Sequence, residues 1–380
     1  MAGITAKIDV TDSACGLSHS KPLSIAVFTR FHPNVGGIET VAELLAREWV
    51  ARGNRVTIVT DVAAAPNDNA DFPFPVLYRP GPLELLRVVR NCDVVVHNNI
   101  SVKVVWPLLL ARKPFVAANH DRYDLRPNGT RPWKERTKVW IARHWAYSTC
   151  VSYSTQDGVG CHGPVIHNPY NHHSFRNFDA RRDKDLVFLG RLVSDKGVNV
   201  LLDALAELKR QHFTPSLTIV GNGPERESIE LQIRGAALEN QVTLAGRLHK
   251  DEVVAVLNEH KIMVVPSVYP EGFGVVALEG IACGCVIVGS KIGGLPEAIG
   301  PCGVTFPMGD HRRLATILAD LLADPTRLEP YRAAAPKHLA MHRVEPVATR
   351  YLDFFREVLD LLPRNGVRSC LPTLRRQMRG

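Results

Sequence analysis

Short apolar runs, each bounded by turn residues and separated by helix-length segments, recur along this chain and restrict it to an α/β fold. In the first half they fall at 23–29, 56–60, 93–97 and 115–121. In the second half they fall at 186–190, 217–221, 242–246, 262–265 and 286–288. The runs are mostly apolar, with consecutive apolar residues rather than strict alternation, as expected of strands covered on both faces of a parallel sheet. Helical periods lie between them, such as Val41, Leu44, Leu45 and Trp49 before Gly53.

The alternation breaks at Asn168-Pro169-Tyr170-Asn171-His172-His173 and then restarts. A chain of 380 residues has room for two domains of ~100–200 residues each. We expect a leader at 1–22, a Rossmann-like domain at 23–172 and a second at 173–345, facing each other across a cleft. Segments 149–153 and 165–167 read as the last strands of the first half. His97 alone reads as a loop residue or a cap, and Pro107 as a limit or kink in a helix over 102–110. Val347, Tyr351, Phe354, Phe355 and Val358 set a helical period over 346–362. That helix is expected to cross back to the first domain, ahead of a basic tail at 363–380.

Eight scattered cysteines with no Cys-x-x-Cys pair argue against a metal or disulfide framework and fit a reducing cytoplasm. No apolar run approaches the ~20 residues of a membrane span. The net charge of +8 is uneven. Arg126, Arg131, Lys134, Arg136, Lys138 and Arg143 stand against Glu135 alone within 126–148, among Trp133, Trp140 and Trp145. Cations mixed with aromatics suit an anionic membrane surface, here the inner face of the cytoplasmic membrane. The other reading is a domain helix with a solvated basic face. No nucleic-acid-binding module accompanies the segment.

The richest stretch is 266–284. A strand, Ile262-Met263-Val264-Val265, is stopped by Pro266 and Pro270. Gly272 and Gly274 then open a helix. Free N–H groups at a helix start, reached through glycines, form a place for phosphate. Glu271 precedes the helix and Glu279 lies about two turns up it; ionised carboxylates accept strongly from sugar and ribose hydroxyls. Arg191 and Lys196 follow the strand ending at Gly190, where two cations would neutralise a diphosphate. Gly36-Gly37 follows the first strand, and His120-Asp121 ends a later one. The Gly-x-Gly-x-x-Gly fingerprint is absent there, which counts against a dehydrogenase.

In order and spacing, Gly36-Gly37-Ile38-Glu39, Gly190-Arg191-Leu192, Lys196-Gly197, Gly221-Asn222-Gly223-Pro224-Glu225, Glu271-Gly272-Phe273-Gly274, Glu279 and Gly293-Gly294-Leu295-Pro296-Glu297 resemble the family-4 retaining glycosyltransferases, which have the GT-B fold. The resemblance spans roughly residues 23–362. It implies transfer of a sugar from a nucleoside-diphosphate sugar, UDP or GDP type, to a hydroxyl of a glycan or lipid-linked acceptor, in glycan, lipopolysaccharide or glycolipid assembly. Arg191 and Lys196 would hold the pyrophosphate, beside Gly190. Glu271 and the backbone of Gly272, Phe273 and Gly274 would meet the donor sugar, with His120 near it. Glu279 would bind the ribose, Gly36 and Gly37 would lie across the cleft, and the base would sit near Arg247 and Leu248. No metal or cofactor is implied. The alternative is a non-catalytic GT-B subunit that binds or scaffolds.

Overall fold

The computed structural model describes residues 21–32, 36–64, 71–102, 105–123 and 132–361. Most of the expected leader, the basic tail at 363–380, Arg126 and Arg131 lie outside the described residues.

The first half runs β1 (Ser24–Phe28), α1 (Gly37–Ala51), β2 (Arg55–Thr60), β3 (Val76–Tyr78), α2 (Pro82–Asn91), β4 (Val94–Asn98), α3 (Trp106–Ala111), β5 (Phe115–Asn119), α4 (Trp133–His144), β6 (Tyr147–Cys150) and α5 (Tyr153–Val159). The second half runs β7 (Lys184–Leu189), α6 (Val198–Arg210), β8 (Leu217–Val220), α7 (Arg226–Gly235), β9 (Val242–Gly246), α8 (Lys250–Glu259), β10 (His260–Val265), α9 (Val275–Ala282), β11 (Val286–Ser290), α10 (Leu295–Ile299) and β12 (Gly303–Phe306). Three helices follow: α11 (His311–Ala323), α12 (Glu329–Ala340) and α13 (Val344–Asp360).

The strands form two six-stranded sheets, ordered β3-β2-β1-β4-β5-β6 and β12-β11-β10-β7-β8-β9. Every pairing is parallel. Read from the β9 edge, the second sheet repeats the order of the first, so both are Rossmann-like. Strand order reverses between β1 and β4 in one sheet and between β7 and β10 in the other. Ligands of open parallel sheets bind beyond the carboxyl ends of the strands at such a reversal.

The central strands are apolar because helices cover both faces: Ile25 to Phe28 of β1 and Ile262 to Val265 of β10 are all buried. Helix α13 crosses back as expected. It seats Val347, Tyr351, Phe355 and Val358 in the core of the first sheet. The Trp49 ring of α1 meets Tyr351 at 5.9 Å and Phe355 at 5.4 Å, and its Nε1 donates to the Ala348 carbonyl at 3.3 Å.

Four local expectations are corrected. The strand at 149–153 ends at Cys150, because Ser152 caps α5 by accepting the Thr155 N–H. Segment 165–167 contributes only a parallel bridge between Val165 and Cys150. His97 is neither loop nor cap. It is buried in β4 with Phe28 at 4.7 Å and Phe115 at 4.8 Å, and burial holds its pKa down to about 3. Pro107 stands in the first turn of α3, where its missing N–H costs nothing.

Candidate active site

The second-sheet reversal brings two loops into contact. After β7 the chain makes a 3-10 turn, Ser194–Lys196, and enters α6 through Gly197. Gly197 has φ +66°, and a Cβ on it would lie 2.0 Å from the Pro266 carbonyl oxygen. The Asp195 carbonyl accepts the Val268 N–H at 2.9 Å. Across this seam Lys196 Nζ stands 2.6 Å from Glu271 Oε1, and Ser267 Oγ donates to the same oxygen at 2.7 Å. Among the described residues Oε2 of Glu271 has no partner, so it can accept from a ligand hydroxyl. Arg191 is exposed, with no side-chain partner among the described residues. Gly190 donates to Val220 O at 3.1 Å, and Leu192 donates to Asn222 O at 3.1 Å. The β8 loop thus braces the loop that carries both cations.

Helix α9 begins after Gly274, its N-cap, at φ +96°. Its first-turn N–H groups and dipole favour an anion beside Lys196. Glu279 sits just over one turn into α9, not two, because the helix starts only at Val275. Among the described residues its carboxylate accepts no hydrogen bond. Burial pushes its pKa up to about 7, with the Lys250 charge pulling the other way. The Phe273 ring is buried against His167 at 5.0 Å and His342 at 5.5 Å, leaving only its backbone to a ligand. Leu248 lies just beyond β9, partly buried against the core that Phe273 and Leu278 share.

The first sheet closes on the same turn. A Cβ on Gly272 would lie 1.8 Å from the His120 carbonyl oxygen, so only glycine fits. The Gly272 carbonyl accepts from Ser152 Oγ at 2.7 Å and Thr155 Oγ1 at 3.2 Å. The His120 ring is buried, and neither nitrogen has a hydrogen-bond partner among the described residues. Loss of water lowers its pKa to about 4, so the ring is neutral at physiological pH. Asn99 holds that chain end: its Oδ1 accepts the His120 N–H at 2.8 Å, and its Nδ2 donates to Asp121 at 2.7 Å. Gly36 and Gly37 open α1 beyond β1, at the first-sheet reversal, and are exposed. The structure therefore joins Lys196, Glu271, Gly272 and His120 in one contact chain. Glu279, Leu248, Gly36 and Gly37 lie outside that chain.

A clasp that the sequence left without a role is Glu297 on α10. Its carboxylate accepts the Tyr153 N–H at 2.9 Å and the Ser154 N–H at 3.2 Å, at the start of α5, and pairs with His167 Nε2 at 3.0 Å. Burial alone would raise its pKa. The contacts to His167, Tyr153 and Ser154 outweigh that and hold the carboxyl below its ordinary 4.5. Because the folded pKa is depressed, this stabilisation is present above pH 4.5 and fades as pH falls through the lower folded value. Glu297→Gln should therefore lower the unfolding free energy at neutral pH by about 1 kcal/mol. Urea melts of the two proteins should converge below pH 4.5; a gap unchanged by acid would show that the charge plays no part.

Two family models match the chain. Residues 35–173 match the model described as Glycosyltransferase Family 4, and residues 171–338 match Glycosyl transferases group 1. A glycogen synthase of Mycobacterium tuberculosis is 36% identical over 168 residues, 43% of this chain and 40% of that protein. The chain thus aligns with about two fifths of that relative's length. The gpi3 subunit of phosphatidylinositol N-acetylglucosaminyltransferase from Schizosaccharomyces pombe is 28% identical over 77% of this chain and 71% of its own. Among solved structures, Anabaena HepE in complex with UDP superposes with a TM-score of 0.75 at 20% identity, covering 88% of this chain and all of HepE. With two Rossmann-like domains, and with the two family matches running together from residue 35 to residue 338, the chain belongs to the family-4 glycosyltransferases of GT-B fold.

Proposed function

We propose that this protein is a retaining, metal-independent glycosyltransferase that moves a hexose from a nucleoside-diphosphate sugar to a hydroxyl acceptor in glycan, lipopolysaccharide or glycolipid assembly. The observation that carries the reading is the Lys196–Glu271 contact of 2.6 Å at the second-sheet reversal, closed from the other side by His120 against Gly272. One spot thereby receives a cation, a carboxylate and a helix start. Segment 173–345 holds the donor and 23–172 the acceptor. Arg191 and Lys196 take the diphosphate, whose charge grows as the anomeric C–O bond breaks. The free oxygen of Glu271 takes a sugar hydroxyl. The acceptor attacks from the face that the leaving group departs, and the leaving phosphate receives the acceptor proton. The neutral His120 faces the sugar, and Glu279 takes the ribose. HepE was crystallised with UDP, which supports a nucleotide donor here. A thermal-shift series of nucleoside diphosphates and their sugars tests this, since a ligand at 100 times its Kd adds about 2.7 kcal/mol of stability. Failure of every uridine and guanosine diphosphate to raise the melting temperature, together with no transfer, would overturn the proposal.

The Glu279 assignment predicts a pH dependence. Only the ionised carboxyl accepts from two ribose hydroxyls. With a pKa of about 7 in the free protein, binding below that pH must first expel a proton. Donor affinity should weaken as pH falls through 7. Glu279→Gln should lower it about 10–100-fold at pH 8 and flatten the profile. Calorimetric titrations across this range check both; an unchanged slope in the variant would move the ribose elsewhere.

For the acceptor, the name of the fission-yeast relative describes transfer to phosphatidylinositol. Helix α4 exposes Trp133 and Trp140, with Lys134 over the Trp133 ring at 5.7 Å. Val139, Ile141 and Ala142 of the same helix are buried, so it is fixed to the fold while showing aromatics and cations outward. We assign this face to an anionic membrane carrying a lipid-linked acceptor. No helix among the described residues is long and apolar enough to cross a membrane. Co-sedimentation with anionic vesicles at low salt should capture the protein, and Trp133→Ala/Trp140→Ala should release it.

A further inference from the structure

The chain passes between its two sheets twice, and histidines gather where the passages meet. The first passage carries His167, His172 and His173; the second, between α12 and α13, carries His342. Tyr170 of the first donates its N–H to the His342 carbonyl at 3.1 Å. His167 and His342 pack against Phe273, His338 packs against His342, and these three are spoken for. His338 Nε2 meets Ala298 O at 2.8 Å, and His167 meets Glu297. His172 and His173 stand apart from this stack. Their rings lie 4.0 Å apart, and His172 Nε2 is 3.3 Å from Glu345 Oε1 in the first turn of α13. One donor atom from each of the three falls within 4.8 Å of the others.

We propose that His172, His173 and Glu345 form a binding site for a borderline divalent transition metal, Zn²⁺ or Ni²⁺, which pins the first passage to the start of α13. Two imidazole nitrogens and one carboxylate oxygen are donors for such ions, whereas Mg²⁺ and Ca²⁺ take oxygen ligands. Three protein ligands leave coordination positions for water, and exposed His173 gives an ion its way in. Among the described residues His172 Nδ1 has no hydrogen-bond partner, so that nitrogen is not held by another contact; an ion binds the neutral form of the ring. The start of α13 is itself anchored, because Arg52 donates to the Glu345 carbonyl at 2.7 Å. An ion here adds a further link between two segments that already meet through the Tyr170–His342 hydrogen bond and the His167–His342 ring contact. It restrains the relative motion of the two domains without touching Lys196 or Glu271.

The test uses the untagged full chain, stripped with a chelator and titrated with Co²⁺, whose visible absorption reports nitrogen ligation. One Co²⁺ should bind per chain, Zn²⁺ should displace it and Mg²⁺ should not. Zn²⁺ should also raise the melting temperature. His173→Ala and Glu345→Gln should each weaken binding at least about tenfold and abolish the thermal shift. The exposure of the His173 side chain keeps the first variant folded. Absence of cobalt absorption, or binding unchanged in both variants, would overturn the site. Binding is read without donor or acceptor, so the result stands whether or not the transfer reading does.

Discussion

Lys196→Ala should abolish most sugar transfer, lowering kcat by about 10²–10³-fold while the protein stays folded. The departing nucleoside diphosphate gains charge as the glycosidic bond breaks, and a cation held at the right place stabilises it more in the transition state than in the ground state. Lys196 is held in that way: Glu271 fixes its ammonium at 2.6 Å, and the 3-10 turn before Gly197 fixes its backbone. An ammonium has three donors, so the pairing with Glu271 leaves others for phosphate oxygens. Arg191 is exposed and has no side-chain partner among the described residues, and its replacement should cost less in kcat and more in donor KM. Steady-state kinetics against donor concentration separate the two effects. Lys196→Arg should recover part of the rate because charge, more than shape, is required. Full activity in Lys196→Ala would move the diphosphate away from this loop.

Gly272→Ala should have the second large effect, through position rather than charge. The added methyl would lie 1.8 Å from the His120 carbonyl oxygen, and neither side can yield. His120 is fixed by Asn99 at the end of β5. Gly272 is fixed by Ser152 and Thr155, and Gly294 donates to the neighbouring Glu271 carbonyl at 2.8 Å. Relief therefore comes from parting the two domains. We expect a stability loss of about 1–3 kcal/mol. We expect kcat/KM to fall at least about 10²-fold, as reacting groups displaced by about 1 Å do. Binding of the free nucleoside diphosphate should survive, since Arg191, Lys196 and Glu279 all belong to the second half. Gly235→Ala, which meets nothing within 4 Å, is the control. Wild-type transfer in Gly272→Ala would show that the domains do not close on this glycine.

What could be read from the chain alone follows from where the physics is local. Strands such as β1 and β10 announce themselves because both faces are covered and the apolar residues run without a break over Ile25–Phe28 and Ile262–Val265. The site loops announce themselves because glycine, proline and charge stand where a strand ends. Two edge strands gave no such signal: β3 is three half-buried residues, and β12 opens on a glycine. Val151-Ser152-Tyr153 looks extended by composition, yet Ser152 spends its hydroxyl on a helix start. His97 is one polar residue in an apolar run, and only its two aromatic neighbours, brought in from β1 and β5, explain its burial. Glu297 stood in a recognisable motif, but its partners are N–H groups 143 and 144 residues away, which no local pattern encodes.

The return of α13 to the first domain has a consequence for how the chain is made. Trp49 and Ala348, hydrogen-bonded in the finished protein, are separated by 299 residues. At a synthesis rate of about 5–20 residues per second, the apolar face of α1 waits roughly 15–60 seconds for Tyr351 and Phe355 to emerge. The domain made first is thus the one completed last, and during that interval its α1 surface is available to chaperones or to a neighbouring nascent chain.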